Sequence, residues 1–199
     1  MLKAIIGFLV LLNPVALYVY LQPVSRELET WTFMKVLIKA SLISLAIFIF
    51  FAWSGEYIFA EIIQIRFEAF RIFGGVVFFI IAIMYLVNSR KAIIELKEDL
   101  HDTASEIALP FMVGAGTISY SVIIGHKFMP LKASFMLFVI MAITVACIYG
   151  LHSLRRILSP TLQIAFDKIM AISLRLIGFF VGAIGVDMII TGIDNLYFS

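Results

Sequence analysis

Six apolar stretches, each close to the ~20 residues that a helix needs to cross a bilayer, follow one another along this chain. They cover 2–22, 36–57, 70–88, 105–125, 131–151 and 171–193. Backbone groups in hydrocarbon must satisfy their own hydrogen bonds, so helices are the expected form. The sequence therefore predicts an all-α polytopic membrane protein with six transmembrane spans.

The overall composition agrees with a bilayer as the main solvent. The chain is 63% hydrophobic and 14% charged, whereas ordinary soluble domains carry about 25% charged residues. A net charge of +2 without a basic stripe gives no reason to expect nucleic-acid binding. The histidines, predicted to lie in separate loops at His101, His126 and His152, make no metal-ligand spacing, and nothing calls for a cofactor.

The connections predict one transmembrane domain, 1–193, with two halves. Repeat one is 1–88, a charged cytoplasmic loop is 89–104, and repeat two is 105–193. A second long connection is expected at 152–170, with room for an amphipathic stretch on the membrane surface. The tail, 194–199, partly resembles a protease-tag remnant.

A weak internal repeat supports this division. Phe70–Gly74 opens the third span and Leu174–Gly178 opens the sixth, and at this offset Met84 aligns with Met188. Three spans per repeat place the second copy upside down in the membrane, a common transporter plan. The predicted architecture is therefore two inverted three-helix repeats with discontinuous spans one and four.

The first discontinuity is expected at Asn13-Pro14-Val15-Ala16. Proline lacks an N–H and clashes with the carbonyl four residues earlier, here that of Val10. Asparagine is a favoured N-cap and proline a favoured first helical residue. One half-helix should therefore end near Leu11 and another begin at Pro14, close to the bilayer midplane.

The second discontinuity is expected at Gly114-Ala115-Gly116-Thr117. The two glycines allow backbone angles that other residues avoid, and Thr117 could cap the next half-helix. Ser119 lies close enough to reach a bound molecule. Matched breaks in the two halves of a transporter point to its substrate site.

Two half-helix starts that meet at mid-membrane would offer N–H groups to an anion. The preceding half-helices, near Leu9–Leu11 and Met112–Val113, would offer free carbonyls to a cation. A small neutral amino acid satisfies both poles. The small residues at the breaks add little side-chain bulk, which suits a small substrate. The alternative for each break is structural: a proline kink or close helix packing.

Two acidic residues are coupling-ion candidates. Asp187 lies in the outer part of the sixth span, where an ionisable group suggests a proton or cation site, or simply a carboxylate near the headgroups. Glu106 follows Thr103 with capping-box spacing, so helix capping competes with a proton relay.

The chain resembles the MarC family of integral membrane proteins, including its branch of small neutral amino-acid transporters (SnatA). The resemblance covers nearly the whole chain. It rests on Asn13–Ala16, Arg71–Gly75, Pro110–Thr117, Arg175–Gly178 and Gly192. Ala16 stands where the family usually has glycine, and Ala115 where it usually has proline. The resemblance implies six spans, inverted repeats and cation-coupled transport of glycine or alanine.

The expected function is a secondary transporter in the cytoplasmic membrane that works by alternating access with H⁺ or Na⁺, not an enzyme. Ten lysine and arginine residues lie in or beside loops one, three and five, against five on the opposite side of the membrane. This bias places both termini outside. The direction of transport stays open, and a homo-oligomer is possible. The alternatives are a small-solute or ion channel and a non-transporting scaffold subunit.

Overall fold

The computed structural model describes residues 1–55, 57–62, 64–87 and 112–197, and the regular structure in these ranges is helical throughout. The helices are α1 (Leu2–Leu12), α2 (Pro14–Glu27), α3 (Thr30–Ser54), α4 (Phe67–Val87), α5 (Ala115–Lys127), α6 (Pro130–Ile157) and α7 (Pro160–Tyr197). A π-helical turn at Ile58–Ile62 lies between α3 and α4.

Five stretches within the described ranges are long and apolar enough to cross a membrane. They are Leu2–Gln22 (α1 with much of α2), α3, α4, α6 and α7. The prediction of an all-helical membrane protein is thus confirmed for these ranges. The predicted span 105–125 lies outside them as far as residue 111, as do loop 89–104 and Glu106. A total of six spans stays a prediction.

The long connection predicted at 152–170 is wrong. Helix α6 continues to Ile157 and α7 begins at Pro160, so only Leu158 and Ser159 join them. Proline suits the first position of a helix, and the Gln163 side-chain amide donates to the Leu158 carbonyl at 3.0 Å. Residues 160–170 therefore form the first turns of α7, which also continues through the tail as far as Tyr197.

Two histidines that were predicted to lie in loops belong to helices. His126 is in the last turn of α5, and His152 is buried within α6. The ring centroids of His152 and Phe33 are 5.0 Å apart. No group of three metal-ligating side chains occurs in the described ranges.

Helices α4 and α7 share the most extensive contact in the bundle. Glycines allow their backbones to approach closely: a methyl group added at Gly185 would lie 2.7 Å from the Gly75 carbonyl oxygen, and one added at Gly178 would lie 3.2 Å from the Tyr85 Cβ. Close approach through small residues is the usual basis of helix association in lipid.

The buried face of α3 recurs in α6 one hundred residues later. Ser44 and Thr144 illustrate the match, since each side-chain hydroxyl donates to the carbonyl four residues earlier at 2.9 Å. The other buried pairs are Phe33/Ala133, Val36/Met136, Leu37/Leu137, Ala40/Ile140, Ser41/Met141, Phe48/Ile148 and Ala52/His152.

The buried positions of α4 and α7 align in a register that differs by one residue from the alignment suggested by the sequence. The sequence alignment pairs Met84, which is 42% exposed, with Met188, which is 4% exposed. An offset of 103 residues instead pairs positions that are buried in both helices: Gly75/Gly178, Phe78/Val181, Ala82/Gly185 and Tyr85/Met188. A shift of one residue rotates a helix by about 100°, so only the second register places equivalent faces inward.

One end of the bundle carries an ion-pair cluster around Asp167 of α7. Arg155 of α6 donates two hydrogen bonds to its carboxylate, from Nε at 2.9 Å and from Nη2 at 3.1 Å. Arg26 and Gln22 of α2 donate at 3.1 and 3.2 Å. This Asp167 cluster, formed by Gln22, Arg26, Arg155 and Asp167, joins three helices at the end where α2 and α6 finish.

Candidate functional site

The chain turns sharply at Asn13 between α1 and α2. Asn13 adopts a left-handed conformation (φ 47°, ψ 75°), its N–H donates to the Leu9 carbonyl at 2.9 Å, and its Oδ1 accepts from the Ala16 N–H at 3.1 Å. Asparagine tolerates this conformation better than most residues. The Leu9 carbonyl, expected to be free, is therefore already bonded.

Two polar groups at this turn have no helical partner. Pro14 has no N–H, so the Val10 carbonyl lacks the donor that a continuous helix would give it. Asn13 is only 3% exposed, yet its Nδ2 has no hydrogen-bond partner in the part of the chain that the structure describes. A buried amide donor without an acceptor costs about 1–3 kcal/mol. Pro14 and Val15 are half-buried beside it, and Ala16 is buried.

The second helix start, at α5, is built differently. Gly114 is the N-cap in an extended conformation (φ −125°, ψ 169°), and its carbonyl accepts from the Ile118 N–H at 2.9 Å. The N–H groups of Ala115, Gly116 and Thr117 therefore have no acceptor within α5. As a glycine, the N-cap residue has no side chain of its own to bond these N–H groups.

Thr117 stabilises the α5 start from inside the helix. It is the third helical residue, and its Oγ1 accepts from the Gly114 N–H at 2.9 Å and donates to the Met112 carbonyl at 3.1 Å. Thr117 therefore caps the α5 start from the third helical position, because α5 begins two residues earlier, at Ala115.

The two glycines at this start have different roles from the one expected. Gly114 is extended and Gly116 is helical, so neither needs a positive φ. Gly116 instead gives space to a neighbour, since a Cβ there would clash with the Phe78 ring of α4. Among the described residues, nothing lies within 4 Å of a Cβ added at Gly114, which leaves open space on this side of the α5 start.

Helices α1 and α5 contact each other. Gly7 and Phe8 contact Tyr120, with the Phe8 and Tyr120 ring centroids 5.8 Å apart. In the last turn of α1, Leu11 belongs to the same apolar cluster as Phe78, and Phe78 contacts Gly116 in the first turn of α5. Phe78 of α4 therefore links the carbonyl end of α1 with the amide end of α5.

Helix α4 runs past both helix starts. A methyl group at Gly74 would lie 3.1 Å from the Gly116 N, and Tyr85 clusters with Ala16 of α2. Phe78 lies between these two points and is 6% exposed. Sequence reasoning missed Phe78, since a phenylalanine in an apolar span carries no distinguishing signal.

Two buried serines add unused polar atoms to the interior. Ser119 of α5 is fully buried and Ser41 of α3 is 6% exposed, and the Oγ atoms of both lack a hydrogen-bond partner among the described residues. Ser119 lies one turn after the α5 start. Ser41 shares its face of α3 with Ser44, whose hydroxyl is 3.4 Å from the Met112 sulfur.

The structure does not bring Asp187 to the helix starts. Its side chain is exposed, whereas the buried face of α7 consists of other residues, among them Gly185 and Met188. Asp187 therefore has no direct place between α1 and α5.

The family follows from a match over nearly the whole length of the chain. A model described as "MarC family integral membrane protein" matches residues 1–197. The chain belongs to the MarC family. This MarC protein is accordingly an integral multi-pass membrane protein, with a lipid bilayer as its surroundings.

Two relatives extend the match in different organisms. UPF0056 membrane protein YhcE of Escherichia coli (strain K12) is 26% identical over 208 residues, covering 98% of this MarC chain and 92% of the relative. UPF0056 membrane protein PH0214 of Pyrococcus horikoshii is 25% identical over 201 residues, covering 98% and 96%. No solved structure matches the chain.

Proposed function

We propose that this protein is a secondary transporter of the SnatA type that moves small neutral amino acids, such as glycine and alanine, across the cytoplasmic membrane. The observation that carries the proposal is that two opposite helix ends adjoin Phe78: the end of α1 with its carbonyls and the start of α5 with its amides. Each pole is matched to one end of a zwitterion, and the buried Asn13 supplies an unused donor beside them.

The two poles have distinct partners on the substrate. The substrate carboxylate accepts from the first N–H groups of α5, where the helix dipole favours an anion, and from Asn13 Nδ2. The ammonium group donates to the Val10 carbonyl, which Pro14 leaves without a helical donor. The open space beside Gly114 receives the molecule.

Alternating access would use two inverted repeats. What supports this arrangement is reciprocal packing: α2 packs on α6, α3 packs on α5, and α3 and α4 pack on α6 and α7 respectively. The matching buried positions of α3 and α6 also support two repeats. The α1–α2 and α5 starts would stay near the midplane while the repeats rock around them.

Coupling to H⁺ or Na⁺ belongs to the same proposal, with Asp187 and Glu106 as candidates and both termini outside. Because Asp187 is exposed and away from the helix starts, it would act on the motion of α7 rather than on the substrate. An Asp187→Asn variant that keeps the dependence of uptake on the ion gradient would remove it as a candidate.

The test is counterflow of glycine and alanine in proteoliposomes, with the Asn13→Asp variant beside the wild type. Aspartate keeps an Oδ1 for the Ala16 N–H but replaces the Nδ2 donor with an acceptor that repels the substrate carboxylate. We expect saturable exchange in the wild type and a loss of at least about tenfold in the variant, as for a lost buried hydrogen bond.

Gln64→Glu is the matched control. Gln64 is the other non-glycine residue with a positive φ in the described ranges (φ 59°), and it is exposed. The same amide-to-carboxylate change there should leave exchange intact. Solute flux without saturation or counterflow would favour a channel, and no flux of any amino acid would favour a scaffold subunit.

A further inference from the structure

We propose that the Phe78 ring is the side chain that limits the size of the substrate. The proposal rests on the transport function above and specifies which amino acids it admits. Phe78 belongs to α4, whereas the groups assigned to the substrate backbone come from α1, α2 and α5. Phe78 would therefore select between substrates by size and would not bind the substrate backbone.

Phe78 is held at the junction of several helices. A Cβ at Gly116 would overlap the Phe78 ring, and the three atoms nearest to that position all belong to the ring. On α7, a methyl group at Gly185 would lie 3.1 Å from the Phe78 Cβ. The ring therefore lies against the α5 backbone, and α7 packs against the Phe78 Cβ.

The position of the ring relates it directly to the substrate side chain. A carboxylate bound by the first amides of α5 lies next to Gly116, and Gly116 lies against the ring. With the ammonium directed to the end of α1, the Cα substituent would face the apolar cluster that contains Leu11 and Phe78. A hydrogen atom or a methyl group fits against the ring far better than a branched side chain.

The experiment compares counterflow of alanine and valine in the wild type, Phe78→Leu and Phe79→Leu. Leucine keeps an apolar residue at position 78 but frees the width of the ring. We expect the valine-to-alanine exchange ratio to rise about tenfold or more, the usual worth of one or two methylene groups in an apolar pocket. Phe79, the next residue, is 44% exposed, so its variant should keep the wild-type ratio.

A second variant pair tests the contact independently of selectivity. Gly116→Ala should abolish alanine exchange because its methyl group displaces the ring, and Gly116→Ala combined with Phe78→Leu should restore it. An unchanged ratio in Phe78→Leu, or an equal rise in Phe79→Leu, overturns the size limit while leaving the transport function intact. A wild type that exchanges no amino acid overturns the transport function and the size limit together.

Discussion

The starts of α2 and α5, at the two helix breaks that the sequence predicts, use their polar groups in opposite ways. At α2 the Asn13 side chain folds back onto the Ala16 N–H, so part of the amide pole is already satisfied. At α5 the cap is a glycine, and the nearest hydroxyl, that of Thr117, is bonded to Gly114 and Met112. Matched positions therefore do not imply matched chemistry: α5 offers its amides, whereas α2 offers a side-chain donor.

The largest effect that separates the two starts is expected from Gly116→Ala. The added methyl group would clash with the buried Phe78 ring, and overpacking of this kind costs about 3 kcal/mol at the upper end of its usual range. Thermal unfolding of the purified protein in detergent should show a clearly lower midpoint. An unchanged midpoint would mean that the α4–α5 contact is looser than described.

A smaller loss is expected from Asn13→Ala. The change removes the side-chain cap of α2, worth about 1 kcal/mol, and imposes a left-handed conformation on alanine, which costs about 1–2 kcal/mol. Asn13→Gly relieves the second cost only, so its unfolding midpoint should fall between those of Asn13→Ala and the wild type. Equal unfolding midpoints for the two variants would show that residue 13 does not adopt the left-handed conformation in the folded protein.

The smallest effect is expected from Gly114→Ala. Its conformation suits any residue, and its added methyl group would meet nothing within 4 Å. Stability should stay the same or rise by up to about 1 kcal/mol, because alanine restricts the unfolded chain. A large loss in the same unfolding assay would show that the space beside the α5 start is not open.

The α2 start could be predicted because its cause is local. An Asn-Pro pair specifies a cap and a first helical residue from two adjacent positions, and α2 indeed begins at Pro14. The role of Gly116 could not be predicted in the same way, because the ring that requires a glycine there belongs to Phe78 in another helix. A pattern of small residues shows that something approaches closely but not which side chain does so.

The error at 152–170 has a related cause. This stretch contains charged residues such as Arg155 and Asp167, and hydropathy scores each residue without its partner. In the folded chain they neutralise each other across the tight connection between α6 and α7, so both helices extend past the apolar spans. The one-residue error in aligning α4 with α7 arose because apolar identities recur by chance, whereas burial depends on the helix face.

The Asp167 cluster also orders the steps by which the chain is completed. Arg26 is synthesised 141 residues before its partner Asp167, and Gln22 145 residues before it. Until the first turns of α7 leave the ribosome, Arg26 must remain hydrated or associate with lipid headgroups, and the ends of α2 and α6 lack the carboxylate that joins them. Closure of the cluster is therefore a late event in biogenesis, and a nascent chain that stops before α7 leaves Arg26 and Arg155 without this carboxylate partner.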